Sequence, residues 1–125
     1  MRRMMLAAVL ASVPAMAFAE GGDAAAGQRV FNQCRACHTA DQGGRNGVGP
    51  NLFGIVGRPA GNIDGFRYSP NMREFATGGT TWTEDRLRAY VTNPKAVLPR
   101  GSMSFPGIRN ETQVNDLMAY LASLK

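Results

Sequence analysis

The sequence predicts an all-α domain of three to five short helices joined by long loops. Three segments carry apolar residues at helical spacing, and none alternates as a half-buried strand does. The stretch from residue 41 to residue 80 is dominated by Gly, Pro and Asn and has no sustained period. So much loop is unusual in a domain of this size, so we expect a large flat cofactor to fill its centre.

The first helix is predicted from Ala24 to about Gln33. Asp23 stands before it, and aspartate caps helix N-termini by accepting hydrogen bonds from unpaired backbone N–H groups. Val30 and Phe31 then fall on the buried side. Within the long loop that follows, a single helical turn is predicted over residues 71–75.

A second clear helix is predicted to begin at Trp82. Thr81 and Glu84 have the spacing of a capping box, and Pro94 ends the helix. Its apolar stripe is Leu87, Tyr90 and Val91. Residues 95–108 are predicted to be irregular.

A last helix is predicted to begin at Asn110, with Gln113 three residues further on. Helical spacing places four apolar side chains on one face of this helix. They are Val114, Leu117, Met118 and Leu121.

Residues 1–19 have the layout of a cleavable secretory signal peptide. Arg2 and Arg3 are basic, residues 4–13 are apolar, and the tripeptide AFA at 17–19 is a small-x-small cleavage site. The apolar run, broken by Pro14, is shorter than the ~20 residues of a membrane-spanning helix. We therefore expect a soluble domain over residues 20–125, exported to the bacterial periplasm.

The charge of the exported domain is mildly basic. Removing residues 1–19 lowers Lys+Arg from 14 to 12 against nine Asp+Glu, so the formal net charge falls from +5 to +3. The arginines are scattered singly, which argues against a nucleic-acid-binding stripe. The balance fits either a plain solvated surface or weak steering toward an acidic protein partner.

The chemistry lies in Cys34-Arg35-Ala36-Cys37-His38. An exported pair of cysteines normally forms a disulfide, but this loop is so short that the bridge would add little stability. A thioredoxin-like redox pair needs a βαβ context, and a zinc site needs four ligands, whereas the chain has two cysteines and one histidine. The C-x-x-C-H spacing indicates covalent haem attachment, with one thiol for each vinyl group and the imidazole beneath the iron.

The second axial position cannot be a histidine of this chain, because His38 is the only one. Methionine, lysine, asparagine, water or an empty position remain. Met118 belongs to the apolar stripe of the last helix and is interpreted as a core residue. Met72 lies in a polar loop and is interpreted as a packing or surface residue rather than a ligand. Met103 lies in a Pro/Gly-bounded loop, LPRGSMSFPG, which can carry a thioether across the opposite haem face, so Met103 is predicted to be the sixth ligand. A His/Met ligand pair raises the reduction potential.

These segments together resemble class I cytochrome c, in particular its bacterial periplasmic cytochrome c2 and mitochondrial-like branch. The likeness covers residues 22–124 and is carried by GDAAAGQRVF, CRACH, GVGPNLFGIVGR, TTWTEDRLRAYVTNPK, LPRGSMSFPGI and DLMAYL. It implies an electron carrier rather than an enzyme. Its one haem c would be bound covalently through Cys34 and Cys37, with His38 and Met103 as iron ligands.

The resemblance also implies roles for residues around the haem. The Pro50 carbonyl would accept the His38 Nδ1–H bond, Leu52 would pack on the haem, and Phe105 would lie beside the exposed haem edge. Tyr90 would lie near the methionine sulfur. Three further side chains, Arg58, Tyr68 and Trp82, would enclose the propionates. In the helix crossing, Gly27 and Phe31 would meet Leu117, Tyr120 and Leu121.

The sequence departs from the family pattern in two places. The segment between Tyr68 and Trp82 is three residues longer than in the short mitochondrial type, so the asparagine that orders an internal water there is either Asn71 or replaced by Met72. The usual ring of lysines is reduced to Lys95 with four arginines, which predicts a weaker salt dependence of association. These arginines are Arg35, Arg45, Arg100 and Arg109.

The expected partners are redox proteins with acidic docking surfaces. Candidates are a membrane quinol-oxidising complex, an oxidase, a reaction centre or a dehydrogenase. The alternatives are a cytochrome subunit of a dehydrogenase or oxidase complex, and a haem enzyme or gas-binding protein. The last is disfavoured because the sequence offers no second histidine and no clear acid–base group for peroxide chemistry. We expect a monomer with no nucleic-acid partner and no stable membrane insertion.

Overall fold

The computed structural model describes residues 21–125. The predicted signal peptide, residues 1–19, lies outside the described residues, so cleavage after Ala19 stays a prediction. The described elements are α1 (Ala24–Val30), continued by a 3₁₀ turn (Phe31–Gln33), then α2 (Pro70–Ala76), α3 (Glu84–Thr92), α4 (Pro94–Val97) and α5 (Glu111–Ser123). Across residues 21–125 the only β pairing is an isolated antiparallel bridge between Pro59 and Thr81. The all-α prediction is confirmed.

Helices α1 and α5 cross closely at Gly27. A Cβ at Gly27 would overlap the Asp116 carbonyl oxygen and lie 2.7 Å from the Tyr120 Cβ, so only glycine lets the two backbones approach. The fully buried Phe31 ring packs on Tyr120 with 5.5 Å between ring centroids. Asp23 caps α1 by accepting from the N–H groups of the two residues at 25 and 26. The crossing therefore joins the two ends of the described chain.

Helix α5 follows the predicted pattern. Asn110 caps it, its side-chain oxygen accepting from the Gln113 N–H at 3.0 Å. All members of the predicted stripe are buried and belong to the main core, which confirms the assignment of Met118 to packing. They are Val114, Leu117, Met118 and Leu121.

Helix α3 begins later than predicted, and the predicted capping box is wrong. Thr83, not Thr81, caps the helix by accepting from the Arg86 N–H at 3.2 Å. Thr81 is excluded because its backbone pairs with Pro59. Helix α3 ends at Thr92.

The two segments expected to be mostly loop each contain a helix. Residues 95–108 are not wholly irregular, because Pro94 opens α4 at a position where proline needs no backbone N–H. Helix α2 spans seven residues rather than a single turn, and Ser69 caps it by accepting from the Met72 N–H at 3.1 Å. Both helices are short, so the loop-rich character of the domain stands. Within residues 21–125 no helix has the length and apolar character needed to cross a membrane.

Candidate functional site

The cysteines and the histidine form one tight turn directly after the 3₁₀ turn. The Cys34 carbonyl accepts from the Cys37 N–H at 3.2 Å and from the His38 N–H at 2.9 Å. Both thiols are half-buried and free rather than joined in a disulfide. Burial, with the neighbouring Cys37, raises the pKa of the Cys34 thiol to about 11, whereas a reactive redox cysteine has a lowered pKa. The Cys34 thiol is therefore not activated as a nucleophile.

The His38 ring is held in one orientation. Its Nδ1–H donates to the Pro50 carbonyl at 2.7 Å. Gly49 lies against the ring face, where a Cβ would overlap Cε1 and lie 2.7 Å from Nδ1. Burial lowers the pKa of His38, which favours the neutral imidazole, the form that binds metals. Nε2 is the ring nitrogen left for a metal.

The loop carrying Met103 lies between two buried anchors, Leu98 and Ile108. The Ile108 N–H donates to the Val91 carbonyl at 2.8 Å, which ties the end of the loop to α3. Met103 itself is half-buried.

The middle of this loop is fastened to α2 and α4 by contacts at the surface. The Arg100 backbone N–H donates to Asn71 Oδ1 at 2.8 Å, and its guanidinium pairs with Glu74 at 2.8 Å. Lys95 Nζ donates to the Gly101 carbonyl at 2.6 Å. Asn71 is thus engaged by the methionine loop.

An aromatic cluster around Trp82 forms part of the hydrophobic core. The Trp82 ring, 4% exposed, lies between Phe75 and Tyr90, with 5.1 Å between ring centroids on each side. Burial raises the pKa of Tyr90 to about 12. Met72 packs against this core from α2, in line with the packing interpretation.

The remaining predicted site residues lie in the loops that enclose this cluster. Arg58 Nη1 donates to the carbonyls of Asn51 and Phe53, each at 3.2 Å. The Tyr68 hydroxyl accepts from the Ile63 N–H at 3.1 Å, which leaves its own hydrogen free to donate. Two apolar residues, Leu52 and Phe105, are half-buried and pack against the core.

The arrangement fits a covalently attached haem. It supplies two free thiols in one turn and a neutral imidazole with one nitrogen available, backed by a glycine that leaves room for the ring. Within residues 21–125 no cluster of three or more His, Cys, Asp or Glu side chains could hold a metal ion. The fold and this donor set define a c-type cytochrome.

Comparison with known proteins supports this classification as a c-type cytochrome. The cytochrome c family model matches residues 24–125. The chain is 45% identical over 113 residues to the cytochrome c2 of Blastochloris viridis, covering 90% of this chain and 85% of that protein. It is 44% identical over 112 residues to a cytochrome c2 of Rhodospirillum rubrum, covering 83% and 99%. The structure of cytochrome cH from Methylobacterium extorquens matches with a TM-score of 0.73 at 41% identity, covering 82% of this chain and 99% of that one.

The chain therefore belongs to the cytochrome c family. It is a class I, cytochrome c2-like electron-transfer protein that carries covalent haem c, and it is not an enzyme. Cys34, Cys37 and His38 supply the C-x-x-C-H attachment pattern.

Sequence reasoning missed the polar residues that hold the two loops. Asn51 is the one buried polar residue of residues 21–125, and its amide bonds to Thr39. Asn71 anchors the methionine loop rather than standing in a plain polar turn. Asn51 lies in a loop and Asn71 at the start of the seven-residue helix α2. The partner of each is distant in the sequence, so neighbouring residues carry no signal for it. The position of Asn51 directly after Pro50 is the nearest available hint.

Proposed function

We propose that this protein is a soluble periplasmic shuttle that carries single electrons between a donor complex and an acceptor. Its haem would be held by thioethers to Cys34 and Cys37, with His38 and Met103 on the two faces of the iron. When bound, the haem supplies a one-electron couple between ferrous and ferric iron. The observation that carries the proposal is the His38 Nδ1–Pro50 bond, which aims a fixed, neutral imidazole at the cofactor side of the turn.

The two proposed ligands would act in opposite directions on the iron. The Pro50 carbonyl increases the donor strength of His38, which favours the ferric state. The Met103 thioether favours the ferrous state and raises the potential. Because His38 and Met103 would both bind the iron, it would have no free site for a substrate. This supports a carrier over a peroxidase or gas-binding protein.

The surrounding residues would exclude water and accommodate the propionates. Trp82 and Tyr90 form the buried aromatic wall, and Leu52 and Phe105 would close the sides. Burying a carboxylate requires donors nearby, and Arg58 with the Tyr68 hydroxyl would supply them. Arg58 is itself held by two backbone carbonyls, so its guanidinium would be positioned before the cofactor is in place.

The partners would be redox proteins with acidic docking surfaces. The five cations expected around the haem edge are all exposed, and they are scattered along the sequence. A thin basic rim favours fast, transient encounter over tight complexes. The five cations of this rim are Arg35, Arg45, Lys95, Arg100 and Arg109.

Export of the protein and electron transfer to its partner can be tested together. The protein should be recovered from the periplasm as a haem-bearing monomer beginning at Glu20, measured by mass spectrometry and size-exclusion chromatography. Membranes of the source organism should oxidise the reduced protein. The rate should depend on salt and should saturate only at high concentrations of the protein. Recovery only in a large complex would favour the cytochrome-subunit alternative. Recovery in the cytoplasm without haem would overturn the proposal.

A further inference from the structure

Thr39 and Asn51 form a side-chain link across the two segments that meet at His38. Thr39 directly follows His38, and Asn51 directly follows Pro50. Asn51 Nδ2 donates to Thr39 Oγ1 at 2.8 Å. We propose that these two residues are positioning residues that hold the Pro50 carbonyl on His38 Nδ1 and thereby set the reduction potential. The inference rests on the proposed role of His38 as an iron ligand.

The Asn51 side chain is engaged at both of its polar atoms. Its Nδ2 also donates to the Asp41 carbonyl at 2.9 Å, and its Oδ1 accepts from the Phe53 N–H at 3.1 Å. The Asn51 backbone N–H donates to Asn46 Oδ1 at 2.9 Å. Asn51 is 8% exposed, and a buried amide is costly unless it is hydrogen-bonded. Such a fully bonded polar group fixes one arrangement of the loop.

Thr39 is tied to the same loop from the other side. Its hydroxyl accepts from Asn51 and donates to the Arg45 carbonyl at 2.7 Å, so both hydroxyl functions are used. Its backbone carbonyl accepts from the Leu52 N–H at 2.8 Å. The path from His38 through Thr39, Asn51 and Pro50 back to His38 Nδ1 is therefore a closed ring of covalent and hydrogen bonds.

Opening this ring changes the electron donation from His38 to the iron. Without the Thr39–Asn51 bond the Pro50 carbonyl gains freedom, and the Nδ1–H bond weakens. The imidazole becomes a weaker donor, which stabilises the ferric state less and raises the reduction potential. A network that merely supported the fold would lower stability and leave the potential unchanged.

The test compares Thr39→Val, which keeps the side-chain shape and removes the hydroxyl, with Thr39→Ser, which restores it. Redox titration of the haem-loaded Thr39→Val protein should show the reduction equilibrium constant raised about threefold, or ~28 mV where a tenfold change is about 59 mV. Exchange of the His38 Nδ1 proton, followed by NMR in the reduced protein, should be faster. Thr39→Ser should match wild type in both.

Asn51→Ala should shift both readouts in the same direction as Thr39→Val. If Asn51→Ala does not fold, the Thr39 pair decides the question alone. The control is Asn110→Ala, which removes the cap of α5 and lowers stability without touching the His38 loop. Its potential should equal that of wild type.

Two results would overturn the inference. One is a Thr39→Val protein with wild-type potential and wild-type proton exchange, and the other is an Asn110→Ala protein whose potential shifts equally. Failure of the proposed function looks different, because the wild-type protein itself would then lack the low-spin His/Met spectrum. In that case the inference falls together with the proposed function.

Discussion

The loops that carry the two proposed iron ligands are held in different ways. The loop at residues 39–53 is fixed on His38 by hydrogen bonds around Asn51, which is only 8% exposed. The loop at residues 98–107 is fastened at its middle by Arg100 and Glu74, whose side chains are 72% and 63% exposed. Water competes more strongly for the second set of bonds than for the first, whose bonds to Asn51 are part-buried. Local opening begins where hydrogen bonds are exposed. We call the loop at residues 98–107 the methionine side, and the attachment turn with the loop at residues 39–53 the histidine side. The methionine side should open at lower free energy than the histidine side.

This difference suits a carrier whose attachment must never fail. The proposed covalent anchor and the bond proposed to tune the imidazole lie on the histidine side, while the methionine side would close the opposite face. We expect the two sides to respond separately to mutation, denaturant and pH.

The largest expected difference between the two sides comes from removing the histidine. His38→Ala should abolish the native cytochrome, because the attachment turn would lose the ligand that seats the cofactor and the Pro50 contact together. The measurement is haem staining of the exported protein on a denaturing gel, with Met103→Ala as the matched control that retains covalent haem. Equal haem content in the two variants would contradict the comparison.

A substitution distant from both loops should destabilise both sides together. Gly27→Ala places a Cβ against the Asp116 carbonyl oxygen and should lower the free energy of unfolding by about 3 kcal/mol, since overpacking costs this much where backbone cannot shift. Denaturant melting followed by helix content and by the far-red methionine band should show both transitions moved to lower denaturant concentration. The control, Gln28→Ala on the exposed face of α1, should stay within about 0.5 kcal/mol of wild type.

Alkaline pH should weaken the core through Tyr90. Burial raises its pKa to about 12, above the value of about 10 in an unfolded chain. The folded state therefore favours the protonated phenol, and its stabilisation is complete below pH 10 and is lost as the pH rises toward 12. The full contribution is about 3 kcal/mol. Tyr90→Phe should lose stability less steeply than wild type above about pH 9.5, while the two stability curves run parallel from about pH 6 to 9; parallel curves above that range would contradict the assignment.

The smallest effects should come from the hydrogen bond and the ion pair that hold the loop at residues 98–107 against α2. Asn71→Ala removes the acceptor for the Arg100 backbone N–H and should make loop opening easier by about 1 kcal/mol. Glu74→Gln removes the charge from an exposed pair and should cost no more than about 0.5 kcal/mol. The readout is loss of the far-red methionine band at urea concentrations below global unfolding. A larger effect for Glu74→Gln than for Asn71→Ala, removed by salt, would mean that charge rather than the backbone bond holds the loop.

The sequence predicted the fold best where the signal is local and periodic. The stripe of α5 and the caps Asp23 and Asn110 depend on residues within one or two turns, and all are found. The start of α3 was misplaced because Thr81 and Thr83 are both capping types. The choice between them depends on the pairing of Thr81 with Pro59, 22 residues away, which no helical pattern contains.

The candidate site shows the same difference between features that depend on neighbouring residues and features that depend on distant ones. The attachment turn is a contiguous motif, so Cys34, Cys37 and His38 could be predicted from their spacing alone. The Pro50 contact spans twelve residues and was implied only by resemblance to the family. The bonds of Asn51 to Thr39 and of Asn71 to Arg100 join segments that are distant in the sequence. They depend on partners that only the folded chain brings together.

The visible absorption spectrum of the oxidised protein is the decisive measurement of the proposed iron ligation. A haem ligated by His38 and Met103 should give a low-spin spectrum with the weak far-red band of methionine-to-iron charge transfer. Replacing Met103 with Ala should abolish that band and lower the potential, with the covalent haem retained. A high-spin wild-type spectrum, or a far-red band that survives the Met103→Ala change, would contradict the His38/Met103 electron carrier.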